Sequence, residues 1–306
     1  MPALAWNSLG HRMAAELVWR QLDATERQAV TGLLKQHPHY QSILAAHVPA
    51  GVDKDEWVFL TAAIWPDVIR PVKGAKQTKP EAFTKYDIYP HVIHLPFVRA
   101  VDAGRVSLEG YTIDTPNAQT GLADSIARLG DPSASAADRA VSLCWVLHLG
   151  GDVHQPMHAA ALVWPGNPRG ENSGTSIAVR EAGRDPIGLH VYWDRLPGED
   201  TGYAAVLNGA DALEKTPELA REKLAELAQA TSVAAWVQES HQVALRYAYG
   251  VEGKKPANMK AFAAGKIPAS AVPVLPPAYV KKAGEVAQRQ LALAGWRLTE
   301  VLKRVW

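Results

Sequence analysis

A single cysteine, Cys144, occurs in the 306 residues. An internal disulfide is therefore excluded, and so is any zinc module built on two or four thiolates. That scarcity suits a cytosol, yet it is equally compatible with a bacterial periplasm. An excess of charge is missing too: the net is +1. No global field marks a nucleic-acid or membrane binder, so a polyanion must be met by a local site. No run of about 18 apolar residues is present, and no spanning helix is expected. The chain shows no internal repeat, no βαβ alternation, and no Ser or Cys nucleophile motif.

Hydrophobic residues make up 47% and charged residues 21%, an ordinary balance for a globular chain that can bury a large core without metals or disulfides. Helical periodicity predicts helices over 7–22, 25–35, 53–64, 136–149, 217–230, 232–249 and 280–305. The second should begin at a Thr25-Glu26 cap, and Gly150-Gly151 should mark an irregular end of the fourth. The β signal is small: residues 175–180 and 186–189 read as one hairpin around Gly183-Arg184. The expected fold is mainly α, a single-domain multi-helix bundle with a small β-hairpin.

Against this background stands a set of nine candidate metal ligands: Trp6, His11, Asp67, His91, His148, Asp152, His158, His190 and Asp194. Two pairs, His148/Asp152 and His190/Asp194, repeat an H-x-x-x-D spacing that puts both side chains on one helical face. Imidazole with carboxylate favours zinc or a similar first-row metal, and several ions together point to hydrolysis. The densest segment, residues 147–158, sets three histidines and Asp152 at the end of an apolar helix with no Lys or Arg beside them. A buried Asp there needs a compensating charge, which a metal supplies. The rival reading is a polar helix end with hydrogen-bonded histidines. At the start of the chain, Ala3-Leu4-Ala5 has the small-x-small form of a signal-peptidase site.

Taken in order, Trp6-x4-His11, W-x-D-x-x-R at Trp65 to Arg70, H-x-I-x-x-P at His91, H-x-x-G-D-x-H-Q-P-x-H at His148 to His158 and L-H-x-x-W-D at Leu189 to Asp194 resemble the S1/P1 nuclease family. That family is related to bacterial zinc-dependent phospholipase C. The Ala-Gly-x-Arg-Leu pattern at Ala294 to Leu298 extends the likeness into the terminal helix. The resemblance implies the phospholipase C/P1 nuclease type of helical bundle over residues 6–306, preceded by a residual signal or engineered segment, residues 1–5. It implies three Zn2+ ions. Asp67, His91 and His148 would hold one; His158, His190 and Asp194 a second; Trp6 and His11 the third, with Asp152 bridging the first and third. In the family the tryptophan is the mature N-terminus and binds through its amino nitrogen and carbonyl oxygen. Cleavage before Trp6 and a secreted or periplasmic location follow. An internal amide nitrogen, whose lone pair is delocalised, is a poor ligand. The likeness makes Arg70 a phosphate contact, Asp152 the residue orienting the attacking hydroxide, and His154 a structural residue.

The implied activity is a zinc-dependent endonuclease, cleaving single-stranded DNA or RNA and 3′-nucleotides to 5′-phosphate products by metal-hydroxide attack on phosphorus. A monomer with no obligate protein partner is expected. The candidate substrate-binding residues are Asn172, Val92 and His94. The last two stand where fungal members carry an aromatic and an acidic residue that hold the base, so family-typical base recognition is in question; Tyr192 and Trp164 are candidate replacements. The family's G-G-N segment is Gly170-Glu171-Asn172 here. Arg195, outside any recognised motif, reads as a surface charge, and the lysines from Lys73 to Lys85 as a solvated loop. Two rival readings are a zinc phospholipase C or phosphomonoesterase on the same scaffold, and a non-catalytic zinc-stabilised binding protein.

Overall fold

A computed structural model describes residues 6–71, 79–250 and 257–306. The cleavage site within residues 1–5 and the lysines Lys73 and Lys76 lie outside the described residues. Thirteen α-helices are described: α1 Ser8–Gln21, α2 Ala24–Leu34, α3 Lys54–Ala62, α4 Trp65–Ile69, α5 Glu81–Thr84, α6 Ala118–Gly130, α7 Ala136–Asp152, α8 Leu189–Asp194, α9 Tyr203–Lys215, α10 Glu226–Gln229, α11 Val233–Val243, α12 Met259–Ala263 and α13 Pro277–Lys303. The strands are short: β1 Pro96–Val98, β2 Ala161–Val163, β3 Ile177–Val179, β4 Ile187–Gly188 and β5 Ala257–Asn258. β1 and β2 pair in parallel, with Phe97 opposite Leu162. The expected hairpin is present as β3 and β4, and β5 joins the other edge of β3. The mainly α expectation holds.

Two apolar clusters hold these elements together. The larger joins α1, α3, α6, α7, α9 and α13 through residues such as Trp6, Leu17, Phe59, Leu122, Leu143, Leu147 and Leu291. The smaller joins the strands to α8 and α13 through Phe97, Met157, Leu162, Val179, Leu189, Trp193 and Val286. His158 sits where the chain passes between them, since Met157 packs in the smaller cluster and Ala159 in the larger. α13 lies against α1 closely enough that a Cβ on Gly295 would stand 2.8 Å from Leu17.

Four helix expectations change. α2 is capped two residues earlier than Thr25, by Asp23, whose carboxylate accepts from the Glu26 amide while Glu26 accepts from the Asp23 amide; this reciprocal box satisfies two otherwise orphaned donors. α7 does not end at Leu149 but continues through Gly150-Gly151 to Asp152. Those glycines serve close packing rather than a turn: a Cβ on Gly150 would fall 2.4 Å from Leu298, and one on Gly151 would fall 2.7 Å from the His11 ring. Residues 217–230 break into two 3-10 turns, Pro217–Leu219 and Arg221–Lys223, before α10. Leu219 and Leu224 both turn into the core there, and Ala220 between the two turns is extended. Finally, α11 passes into a π-helical turn over Ala244–Ala248 rather than remaining α-helical to Tyr249. α6 and α9 were not anticipated from periodicity.

Candidate metal centre

Six segments converge on one buried point. His11 lies in the first turn of α1, whose start is fixed by Asn7 accepting from the Gly10 amide. Asp67 lies in the first turn of α4. His91 opens an extended stretch in which His91, Ile93, Leu95 and Phe97 point inward while Val92, His94, Pro96 and Val98 stay half-buried; the two-residue period turns His91 in and its neighbours outward. His148 and Asp152 stand one turn apart at the end of α7. His158 sits on a 3-10 turn, Pro156–Ala159, and His190 and Asp194 on α8. Trp6 is fully buried, and the next amide, that of Asn7, donates to the Asp194 carbonyl at 3.1 Å.

The side chains form three groups whose ligand atoms lie within 4.8 Å of one another: His11 with His148 and Asp152; Asp67 with His91 and His148; His158 with His190 and Asp194. Around the middle group, Asp67 Oδ1, His91 Nδ1, His148 Nε2 and Asp152 Oδ2 define a tetrahedron. Five of its six edges are 2.9 Å between the two histidines, 3.3 and 3.4 Å from them to Asp152, and 3.6 and 3.8 Å from them to Asp67. Four ligands at zinc's usual bond length of about 2.0–2.1 Å have edges of about 3.3 Å, which these values bracket. The other oxygen of Asp152 faces His11 Nε2 at 3.4 Å. Asp152 thus presents one oxygen to each of two groups. In the third group Asp194 Oδ1 is 3.8 Å from His158 Nε2, and Oδ2 is 3.5 Å from His190 Nε2.

Hydrogen bonds behind the rings select the tautomers. Carbonyls only accept, so the ring nitrogen that meets one must carry the proton. His148 Nδ1 donates to the Ala63 carbonyl at 2.7 Å, His158 Nδ1 to that of His91 at 2.7 Å, and His190 Nδ1 to that of Ser173 at 2.6 Å. Each leaves Nε2 as a lone-pair ligand aimed at the centre, the usual arrangement behind metal-binding histidines. Gln155, wholly buried, donates from Nε2 to Asp194 Oδ1 at 2.6 Å and accepts from the Met157 amide at 2.5 Å. His154 does not join the groups. Its Nδ1 donates to the Gly150 carbonyl, and its Nε2 accepts from Arg297, which forks onto Glu239. That arrangement ties the end of α7 to α13 and agrees with a structural role.

Without a cation the centre is electrostatically unfavourable. Both oxygens of Asp152, Asp67 Oδ1, both ring nitrogens of His11 and Nε2 of His158 are buried without a hydrogen-bond partner. Burial pushes the Asp67 carboxyl up to about 8, helped by Asp152, and the Asp152 carboxyl up to about 7. It lowers His11 and His148 to about 3 and holds His91 and His158 well below the usual imidazole range. Neutral imidazoles with carboxylates lacking a counter-charge fit divalent cations, which offset the desolvation of each group.

Arg70 caps the end of α4, and its positive charge reaches Asp67, His91, His148, Asp152 and His158. His94 and Asn172 line one cleft of about 500 Å³, together with Tyr111, Asp114, Arg169 and Glu171. Val92 is half-buried, and its carbonyl accepts from the Ala118 amide. Tyr192 packs in the smaller cluster at 4% exposure, too covered to offer a ring face; Trp164 is half-buried. Arg195 pairs with the exposed Glu199 at 3.6 Å, as a surface charge would. Sequence reasoning did not single out Gln155, Arg297 or Tyr111. The first two stood inside quoted motifs; Tyr111 carried no signal.

Comparison with individually curated proteins gives no match. The model of the S1/P1 nuclease family, in contrast, matches residues 6–306, a span that contains every ligand-bearing segment and the whole of α13 behind them. The family is zinc-dependent and hydrolytic, and its members are generally secreted. With nearly the whole chain covered, the protein belongs to the S1/P1 nuclease family.

Proposed function

We propose that the chain is a trinuclear-zinc phosphodiesterase that hydrolyses single-stranded DNA or RNA, and 3′-nucleotides, to 5′-phosphate products. The observation that carries this reading is the set of three buried ligand groups, two of which share Asp152, with spacings around the middle group that fit tetrahedral zinc. Asp67, His91, His148 and Asp152 would hold one ion, His158, His190 and Asp194 a second, and His11, Asp152 and the backbone of Trp6 a third. The Trp6 role requires a free amino group there, so residues 1–5 would be removed on export. Residues 6–306 would then form one catalytic domain, acting as a monomer.

Bound zinc would supply Lewis-acid polarisation of a phosphoryl oxygen and acidify water. The chain does the rest. Asp152, with no other hydrogen-bond partner, would take a hydrogen bond from the attacking water and hold it in line with phosphorus. Arg70 would fork onto non-bridging phosphate oxygens, for which a planar guanidinium is suited. The cleft of His94 and Asn172 would receive the adjoining nucleoside.

Nuclease activity measured before and after EDTA, with zinc added back, tests the mechanism. Activity should vanish and return; indifference to chelation overturns it. The half-buried Val92 and His94, where a stacking ring and an acid are absent, favour one second reading, a phospholipase C or phosphomonoesterase. A panel of single-stranded DNA, RNA, 3′-AMP and phosphatidylcholine separates the two.

A further inference from the structure

Glu171 is a buried carboxylate, 3% exposed, that belongs to none of the ligand groups. Four donors surround it. Oε1 accepts from the Tyr249 hydroxyl and, at 3.4 Å, from the Leu162 amide; Oε2 accepts from the Gly174 amide and, at 3.5 Å, from the Ser176 hydroxyl. Every partner donates, so the site is built for an ionised, acceptor-only carboxylate. Its own amide donates back to the Leu162 carbonyl at 2.9 Å.

These bonds enclose a backbone that does not hold its shape unaided. Gly170, Ser173 and Gly174 all have left-handed φ, of 77°, 51° and 79°. Glycine adopts that region freely; for Ser173 it is uncommon and costs energy. The Ser173 hydroxyl is also buried without a partner, so the side chain does nothing to stabilise its own conformation. Yet the carbonyl of Ser173 is the group that accepts from His190 Nδ1 and so aims His190 Nε2 at Asp194. Glu171 grips the loop on both sides of Ser173, through its own backbone and through the Gly174 amide. Tyr249, which follows the π-helical turn, anchors the carboxylate from the far side.

We propose that Glu171, braced by Tyr249, is the positioning residue for the His158/His190/Asp194 metal site: it holds Ser173 left-handed so that its carbonyl fixes the tautomer and direction of His190. The inference rests on the functional reading above only in taking that group to bind zinc. Glu171 also lines the cleft beside Asn172, so the same carboxylate joins the loop that bounds the cleft to the ligand behind it.

The test is a titration of metal-free protein with Zn2+ against a chromophoric chelator, with bound zinc counted by mass spectrometry. His190→Ala identifies the binding step that belongs to this group. Glu171→Gln places an amide donor among four donors, and it should weaken that same step by about 10–100-fold, the usual loss on removing support behind a ligand. The remaining steps should stay within about twofold. Tyr249→Phe removes one donor and should weaken the same step less. Adding Ser173→Gly to Glu171→Gln should restore most of the affinity, because glycine needs no help to stay left-handed.

A folded Glu171→Gln with an unchanged step overturns the proposal, as does equal weakening of every step or a failure of Ser173→Gly to restore affinity. If Glu171→Gln does not give the wild-type circular dichroism spectrum, Tyr249→Phe decides by the same selective step. Wild-type protein that takes up no zinc overturns the functional reading itself, and this inference with it, so the two failures are told apart.

Discussion

The two H-x-x-x-D pairs share a spacing and differ in almost everything that supports them. His148 and Asp152 end a helix of 17 residues that is buried along most of its length. His148 is backed by the Ala63 carbonyl, and Asp152 turns one oxygen to each of two groups. His190 and Asp194 ride on a helix of six residues. Their orientation comes from outside it: Ser173 in a left-handed loop behind His190, and Gln155 at the start of the 3-10 turn Pro156–Ala159 on Asp194. Spacing therefore sets the distance within a pair, while the rest of the fold decides how firmly the pair is aimed. The first pair stands on a long buried helix with one outside support, the Ala63 carbonyl; the second stands on a short helix with an outside support at each residue.

The sharpest break in this comparison is Asp152→Asn. The variant keeps the shape but loses a charge shared between two groups, and turnover should fall by on the order of 10³-fold, within the range for a positioned acid–base group. Circular dichroism should be unchanged. An active Asp152→Asn enzyme would remove the shared carboxylate from the mechanism. Next come two substitutions of similar size on opposite sides of the comparison. Gly151→Ala would drive a methyl group to 2.7 Å from His11 Nδ1, disturbing the groups that share Asp152. Gln155→Ala would release Asp194 in the other group. Each should cost about 10–100-fold in zinc affinity, and metal counting should show different steps lost. Loss of the same step in both variants would mean that the pairs are not independently supported.

Zinc removal gives a third contrast, with its sign set by the raised and lowered groups. In the metal-free chain Asp67 and Asp152 stay protonated up to about pH 8 and 7, whereas unfolded Asp releases its proton near pH 4. The folded state then binds more protons, so stability falls as pH rises through that window. The lowered imidazoles act the other way, but only below about pH 6.5, where unfolded histidine charges and the folded rings do not. Between about pH 6.5 and 8 only the carboxylates count. EDTA-treated protein should therefore lose on the order of 2 kcal/mol across that range. Zinc-loaded protein should not, because its carboxylates are already ionised. Parallel melting curves for the two forms would contradict the link between these carboxylates and metal.

The candidate ligands were legible because their chemistry is tied to side-chain identity: His, Asp and their order along the chain. Their supports were not. The carbonyls of Ala63, His91 and Ser173 orient three imidazoles, and every residue has a carbonyl, so no letter announces one. Gly150 and Gly151 illustrate a second blind spot. A glycine pair reads as a helix end by local propensity, whereas here tertiary contact with Leu298 and His11 keeps them helical. The same competition breaks 217–230, where Leu219 and Leu224 reach the core only if the helix is interrupted. Periodicity located α1, α3 and α13 within a few residues, although α1 and α3 are buried on every side over Leu9–Trp19 and Trp57–Ala62.

The smallest expected effect falls beside the second pair. Arg195 follows Asp194 directly and lends it some favourable charge, but burial dominates that carboxyl and Arg195 contributes least among the groups acting on it. Its own partner is the exposed Glu199, and exposed ion pairs contribute about 0.2–1 kcal/mol. Arg195→Ala should therefore shift the melting point by no more than such a pair would, leave the zinc count unchanged, and keep kcat/KM within about threefold, or about 0.7 kcal/mol of barrier. The measurement discriminates because a phosphate contact behaves otherwise. Losing one would lower kcat/KM on long single strands more than on a mononucleotide and would flatten the salt dependence of binding. A tenfold fall confined to long substrates would move Arg195 from the surface into the substrate path, and would show that α8 serves the reaction on its outer face as well as through His190 and Asp194.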